Sequence, residues 1–559
     1  MLRDEINKDI SSATRNLQLE VGIKAIDEIE VVRTSDSKFG DFTTNVALRV
    51  AQGKLPSVSD AKPFDKANGK QSPMELAKVL AQSLQKQSYI KKLEVVKPGF
   101  VNFFIRDEYW QKEVENVLKQ GDKYGSNSLG KGKKASVEFV SANPTGPLHF
   151  GNARGGPIGD SIASVLEFSG YKVVREYLHN NVGVQVAKLG ESIVNVAKGQ
   201  KLEDQEYKGE YIRDLAKQIA NSKLKTQNSK LDEEETGQKA VAIILKEVLK
   251  DCEDMGIKFD EVYPEGDFIK SGQTKKILDV LEKKYFLKKK EGALWFAPSD
   301  EFLKDRETVV KKSDGSYTYF ANDIAYHNLK FAQNPALVID ILGANHHGHV
   351  PRLQAVVKAL GYDVSRFHVI LYQWVRFRRR GEFVKMSKRS GTLVPAQEVL
   401  SEIGRDALRF FILMHDANSP IDFDLDLARE KSAKNPVYYV QYAHARIASI
   451  LRRANSKSEI RNPKSVNFQL LTTNYELDLI KQISKLPELV EDIAGNFAVH
   501  RLTGYAIALA DSFHKFYENC RVVGEKEDLE KARIGLITAT KIALANTLNL
   551  LGVSVPEKM

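Results

Sequence analysis

Three kinds of hydrophobic pattern succeed one another along the chain. The first hundred residues open on an amphipathic helical pattern and close on the alternating stretch GFVNFFI, Gly99 to Ile105, predicting a small α+β module. Inside it GKLPSVSDAKPFDKANGKQSP, Gly53 to Pro73, is rich in Gly, Pro, Ser and Lys and lacks apolar periodicity, so it reads as an exposed excursion between two helices. After the glycine- and lysine-rich GSNSLGKGKK, Gly125 to Lys134, short apolar strands alternate with helical segments as far as about Arg389, which predicts a parallel sheet built from crossover units. The polar block Lys198 to Lys239 interrupts this alternation and reads as a helical insertion between two halves of the sheet. Beyond about Lys431 only the helical period remains, predicting a C-terminal bundle. The expected organisation is therefore an N-terminal α+β module at 1–125, a parallel-sheet domain at 126–400 with its helical insertion at about 195–275, and an all-α domain at 401–559, without internal repeats.

Composition changes this picture little. With 559 residues the chain exceeds what one core supports, and 42% hydrophobic and 28% charged residues are ordinary for a water-soluble protein. No run of eighteen apolar residues and no signal-like start is present, so a cytoplasmic location without membrane contact is expected. Cys252 and Cys520 are too few for a disulfide scaffold or a cysteine zinc site and are expected to be packing residues. The net charge of +10 favours a polyanionic partner without specifying one.

Two short segments carry candidate chemistry. ASVEFVS, Ala135 to Ser141, reads as a strand, and Ile158, Ile162, Val165 and Leu166 share one helical face, so PLHFGN, Pro147 to Asn152, is a strand-to-helix turn. In a doubly wound fold that turn lies at the carboxyl edge of the sheet, where helix N–H groups attract phosphate; Gly146 and Gly151 permit close backbone approach and His149 offers a donor. The bland alternative is a satisfied turn histidine. FVKMSKRSG, Phe383 to Gly391, follows the apolar HVILYQWV and sets Lys385 and Lys388 in a glycine-flanked loop, suited to a polyphosphate whose charge grows during substitution at phosphorus. Its alternative is a solvated basic loop.

PLHFGN and KMSK resemble the HIGH and KMSKS signatures of class I aminoacyl-tRNA synthetases. SANPTGPLHFGNARG, TYFANDIAYH, GANHHGHVPRL, DALRFF, NPVYYVQYAHARI and LGVSVPEKM narrow the resemblance to the bacterial arginyl-tRNA synthetases, over nearly the whole chain. The resemblance implies a Rossmann-type catalytic domain and a two-step reaction. Arginine and ATP give arginyl-adenylate and pyrophosphate, and the arginyl group then passes to the 3′ end of tRNA(Arg). It also implies magnesium with the nucleotide, a monomer, and no resident protein-bound metal.

By that resemblance His149, Gly151, Asn152, Lys385, Met386, Ser387 and Lys388 hold ATP, with His149, Asn152, Lys385 and Lys388 as the catalytic set. Ser141, Asn143, His149, Tyr319, Asp323 and His346 line the arginine site. A guanidinium calls for planar carboxylate acceptors, so Asp323 is its expected partner, with Tyr319 one helical turn away and Glu138 a second acidic candidate. The histidines of HHGH, His346, His347 and His349, also admit a metal reading, ranked below a polar binding role. Arg446, Tyr517 and Met559 are expected tRNA contacts in the C-terminal domain, and the N-terminal module is expected at the tRNA elbow. The resemblance is imperfect at Asn152, which stands at the second histidine of the signature and carries no charge. Pro157 predicts a kink, or a helix that begins near Gly155. The alternatives weighed are another class I synthetase and a catalytically silent tRNA-binding paralogue.

Overall fold

The computed structural model describes residues 2–21, 30–52, 72–223, 232–298, 307–384, 394–454 and 463–559. Two compact units emerge, and they do not follow the three sequence segments. One comprises Met1–Tyr124, Ile450–Glu488 and Asp511–Ala543; the other comprises Gly125–Ser449, Leu489–Ala510 and Leu544–Met559.

In the first unit an antiparallel sheet is formed by β1 (Val31–Arg33), β2 (Phe42–Thr44), β3 (Ile90–Val96) and β4 (Phe100–Ile105), in the order β1-β2-β4-β3. The expected strand is β4, whose alternating pattern buries Val101, Phe103 and Ile105. Helices Val46–Gln52 and Pro73–Leu84 flank the expected excursion, most of which, residues 53–71, lies outside the described residues. Ser72 caps the second of these helices in a reciprocal capping box with Glu75. The later segments of the chain that belong to this unit are helical and join it through charge: Arg33 forms a bidentate pair with Glu488 at 2.7 and 2.9 Å.

The second unit is built on five parallel strands, β5 (Lys134–Glu138), β6 (Lys172–His179), β7 (Glu261–Pro264), and further along β11 (Leu337–Gly343) and β12 (Phe367–Tyr372). Their order is β12-β11-β5-β6-β7, so the chain winds outward from β5 to one side and then returns to fill the other. The reversal falls between β5 and β11, where a crevice opens beyond the strand ends. The polar block forms part of the connection between β6 and its neighbour β7, where helices Val184–Ala197, Glu210–Lys223 and Glu233–Asp254 occur. Between β7 and β11 lies a small antiparallel sheet, β8 (Leu287–Lys290), β9 (Ala293–Phe296) and β10 (Thr308–Lys311), which the apolar pattern did not announce.

Helix Gly155–Phe168 covers β5 with its fully apolar face, burying Ile158, Ile162, Val165 and Leu166 as their spacing required. A Cβ on Gly159 would stand 2.2 Å from the Phe139 ring, so only glycine lets helix and strand approach this closely. The helix starts at Gly155, immediately after the short helix Phe150–Ala153; the break falls just before Pro157.

HVILYQWV does not run straight into KMSK. A hairpin of β13 (Val375–Arg379) and β14 (Glu382–Val384) intervenes, and β13 pairs in parallel with β15 (Ile421–Asp424). One strand therefore lies beyond residue 400, where helices alone were expected. Phe150 packs edge-on against Phe377 and Phe423 of this sheet, so the strand-to-helix turn rests on it. Farther along, Arg409 is completely buried: it donates to the Leu551 and Met255 carbonyls at 2.7 and 3.1 Å and pairs with Asp160 at 2.6 Å. Among the described residues no helix is long and apolar enough to cross a membrane.

Candidate active site

The carboxyl ends of β5, β6, β11 and β12 surround a cavity of about 1130 Å³. Glu138, Ser141, Asn143, His149, Asn152, Tyr319, Asp323 and His346 all line it, so residues drawn from four separate stretches of sequence converge on one space. Tyr207, Lys208 and Tyr211, from the polar block, close one side, and Glu265 another.

The chain leaves β5 through a strained turn. Val140 and Ser141 adopt left-handed backbone conformations with φ of 67° and 38°, costly for a β-branched valine, which ends the strand at Glu138 rather than Ser141. The turn aims Ser141 inward: its hydroxyl donates to Glu138 at 2.9 Å and accepts from the Leu178 N–H at 3.1 Å. Two residues on, Asn143 accepts from the Asn180 N–H at 3.3 Å and donates to Gln185 at 3.3 Å.

His149 caps the helix that follows. Its Nδ1 accepts from the Gly151 N–H at 2.9 Å, which assigns the ring proton to Nε2 in the neutral form, and burial lowers its pKa. The neutral ring is thus a preset donor. A Cβ at position 151 would stand 2.4 Å from His149 Cε1, so this geometry demands glycine there. Asn152 occupies the first turn behind it, and Tyr372 donates to its carbonyl at 3.4 Å.

Residues 385–393, which contain Lys385, Met386, Ser387 and Lys388, lie outside the described residues. Their neighbours on both sides are described. Val384 ends β14, while Pro395 forms an antiparallel bridge with His149, the Phe150 N–H donating to the Val394 carbonyl at 2.7 Å and the Ala396 N–H to the Leu148 carbonyl at 2.7 Å.

Helix Tyr319–Ala332 supplies the acidic side. Thr318 caps it, and Tyr319 and Asp323, four residues apart, both reach the cavity. Asn180 donates to the Tyr319 hydroxyl at 3.2 Å, and Asp323 contacts His349 Nε2 at 2.9 Å. His346 stands at the same rim, its pKa lowered by desolvation and by His349. Among the described residues no group of three or more His, Cys, Asp or Glu side chains is arranged to hold a metal ion.

Where Glu138, Tyr326, His327 and Asp340 line the cavity, the same helix carries a charged cluster that sequence patterning missed. Lys330 Nζ lies 2.5 Å from Glu138, 2.7 Å from Asp340 and 3.8 Å from Glu176, all nearly inaccessible to solvent. Tyr326 donates to Glu176 at 2.9 Å. His327 contacts the Asp323 carbonyl at 2.8 Å and the Asp340 carboxylate at 2.9 Å; both partners only accept, so both ring nitrogens carry protons. Burial opposes charge on His327 and Lys330, but the carboxylates override it and raise both pKa values. Burial likewise works to raise Asp340, yet Lys330 and His327 hold it well below the usual carboxylate range. The recognisable signal was Asp340 itself, a lone acid in the apolar strand LVIDILG.

The expected tRNA residues fall in both units. Arg446 and Met559 belong to the second; the Arg446 guanidinium lies 5.7 Å from the Tyr442 ring, and Met559 is exposed. Tyr517 belongs to the first, where it stacks on Phe513 at 6.0 Å.

Comparison with known proteins now bears on this geometry. Residues 113–447 match the family described as tRNA synthetases class I (R), catalytic domain; residues 2–105 match the arginyl tRNA synthetase N terminal domain; and residues 440–559 match the DALR anticodon binding domain. The chain is 42% identical over 542 residues to the arginine–tRNA ligase of Geobacter sp. (strain M21), covering 95% of each. It is 38% identical over 570 residues to that of Carboxydothermus hydrogenoformans, covering the whole of each. The Thermus thermophilus arginyl-tRNA synthetase structure superposes with a TM-score of 0.78 at 22% identity, over the full length of both chains.

Proposed function

The chain belongs to the arginyl-tRNA synthetases of class I and is an ATP-dependent arginine–tRNA ligase, and from that premise we propose how its cavity divides the work. His149, Gly151 and Asn152 hold the nucleotide together with Lys385, Met386, Ser387 and Lys388. Glu138, Ser141, Asn143, Tyr319, Asp323 and His346 hold arginine, whose guanidinium pairs with Asp323. The arginine carboxylate is already a nucleophile, so the protein's task is positioning and charge neutralisation while it attacks the α-phosphorus and pyrophosphate leaves. The neutral His149 donates from Nε2 to a phosphate oxygen, and Lys385 and Lys388 balance the charge that builds on the departing group. A terminal ribose hydroxyl of tRNA(Arg) then attacks the adenylate carbonyl and releases AMP.

Magnesium is assigned to the nucleotide's own phosphates. The imidazole and amide donors at this end of the cavity suit phosphate oxygens better than a hard cation that prefers carboxylates and water. Arg446, Tyr517 and Met559 are assigned to tRNA, and the N-terminal module to its elbow. The active form is read as a cytoplasmic monomer.

The observation that supports this division best is the bridge between His149 and Pro395, which sets the chain just after KMSK against the phosphate-binding turn. Arginine-dependent ATP–pyrophosphate exchange, with tRNA present and absent, tests it. His149→Ala and Lys388→Ala are each expected to slow exchange by about 100-fold or more, in line with losing a donor to transition-state charge. Full exchange in both variants would overturn the assignment.

A further inference from the structure

Residues 207–211 of the polar block, YKGEY, have no place in the division of labour above, yet they form one side of the cavity. Their anchorage lies away from the ligands. The buried Gln205 accepts from Asn195 at 3.0 Å and donates to the Lys201 carbonyl at 3.0 Å, and the Tyr207 N–H donates to Ser192 at 3.4 Å, so the segment is riveted to helix Val184–Ala197. That helix follows β6, and its Gln185 accepts from Asn143 at 3.3 Å.

From this base two tyrosines reach back to the passage between β5 and the phosphate-binding turn. Tyr211, in the first turn of helix Glu210–Lys223, donates to the Thr145 carbonyl at 2.8 Å. Its ring covers Gly146, where a Cβ would stand 3.2 Å from the phenol oxygen and 3.3 Å from Cζ. Tyr207 shares a hydrogen bond with the Thr145 side chain. Burial raises the pKa of both phenols, so both keep their protons at neutral pH and Tyr211 remains a donor. Residues 139–148 form neither helix nor strand, and bonds of this kind set their course: Tyr177 donates to the Ala142 carbonyl at 2.7 Å, and Tyr211 takes hold three residues later.

We infer that Tyr211 is a positioning residue for adenylate formation: it fixes Thr145 and Gly146, and through them the spacing between the residues that hold arginine and the turn that holds the nucleotide. This rests on the division of the cavity proposed above. Along the chain Ser141 and Asn143 stand before Thr145, and His149, Gly151 and Asn152 stand after it. Each substrate meets its own residues, but the carboxylate attacks phosphorus only where both groups of residues keep their separation. A displacement of about 1 Å between reacting groups costs about 100-fold in rate. A clamp set between the two groups therefore governs the joint step and leaves each separate binding step intact. The polar insertion is thereby part of the catalytic frame.

Arginine-dependent ATP–pyrophosphate exchange by the full-length protein, with tRNA present, tests this alongside calorimetric binding of arginine. Tyr211→Phe removes the hydroxyl and keeps the packed ring; kcat is expected to fall about tenfold, while arginine affinity and the KM for ATP stay within about threefold. Tyr211→Ala is expected to lower kcat about 100-fold with the same affinities preserved. Gly146→Ala presses a methyl against the ring and is expected to lower kcat about tenfold, but to add less than about twofold in the Tyr211→Ala background, because the two act through one contact. A role confined to stability would lower the denaturation midpoint and leave kcat per folded molecule unchanged. That result, a loss of substrate affinity in place of kcat, or additive effects of Gly146→Ala and Tyr211→Ala would overturn the inference. His149→Ala separates it from the reading beneath it. If His149→Ala slows exchange and Tyr211→Phe does not, only the clamp fails; if His149→Ala leaves exchange intact, the division of the cavity fails with it. Where Tyr211→Ala does not fold, Tyr211→Phe alone decides.

Discussion

At one end of the cavity Glu138, Glu176 and Asp340 surround Lys330, with His327 at Asp340; elsewhere on its wall Glu265 and Asp323 meet, among the described residues, Asn322 and His349 as polar side-chain partners. Both groups of acids are drawn toward helix Tyr319–Ala332, within a few turns of each other, and their charge states differ because their partners differ. At that end two cations sit among three carboxyls, and burial pushes the Glu176 pKa upward against the pull of Lys330. On the wall, acidic charge is left without an amine or guanidinium of the chain's own. A substrate that brings a guanidinium supplies the charge the wall lacks. The acids around Lys330 hold the site together, and Glu138 among them also faces the cavity.

The largest expected effect comes from breaking the compensated set. Lys330→Met leaves Glu138 buried without its cation and Asp340 with His327 alone, and a loss of about 3–5 kcal/mol of stability is expected from chemical denaturation. A loss below about 1 kcal/mol would mean that these acids are solvated or protonated, and the contrast would dissolve. On the wall the cost appears in binding instead. Asp323→Ala is expected to raise the KM for arginine about 100-fold with little change in the KM for ATP or in the denaturation midpoint. Equal effects on both substrates would count against the guanidinium assignment.

A third substitution tests the opposite end of the cavity. Gly151→Ala drives a methyl into the His149 ring and is expected to reduce kcat/KM for ATP about tenfold, with arginine affinity, read by calorimetry, preserved. The smallest effect is a slope. Glu265 binds its proton more tightly folded than unfolded, so between about pH 4.5 and 8 its contribution to stability falls as pH rises. Denaturation midpoints of the empty protein should follow that trend, and Glu265→Gln should flatten it.

Much of this was legible in the chain. The parallel sheet followed from short apolar runs alternating with helices, and the phosphate-binding turn from the passage between strand and helical periods around PLHFGN. Tyr319 and Asp323 were named from the resemblance of TYFANDIAYH, and their four-residue spacing put both on one helical face. Other features left weaker marks. In the small sheet β8–β10 one strand is LKKK, and nothing in such a run separates a strand from a loop, while the other two, ALWF and TVVK, are only four residues long. The β13–β14 hairpin hid behind arginines, since VRFRR alternates apolar and basic positions. Lys330 escaped because its partners come from three strands, two of them far away in sequence, and a lysine on a helix is ordinarily a surface residue. Glu265 escaped for the converse reason: it follows a four-residue strand among other acids, and its isolation from cations exists only in three dimensions.

The buried Arg409 has a temporal consequence. Its carbonyl partner at Leu551 belongs to a stretch synthesised some 140 residues after the guanidinium itself. Until that stretch is in place the buried guanidinium lacks one of its acceptors, so the native setting of Arg409 is complete only once the residues around Leu551 have joined the unit.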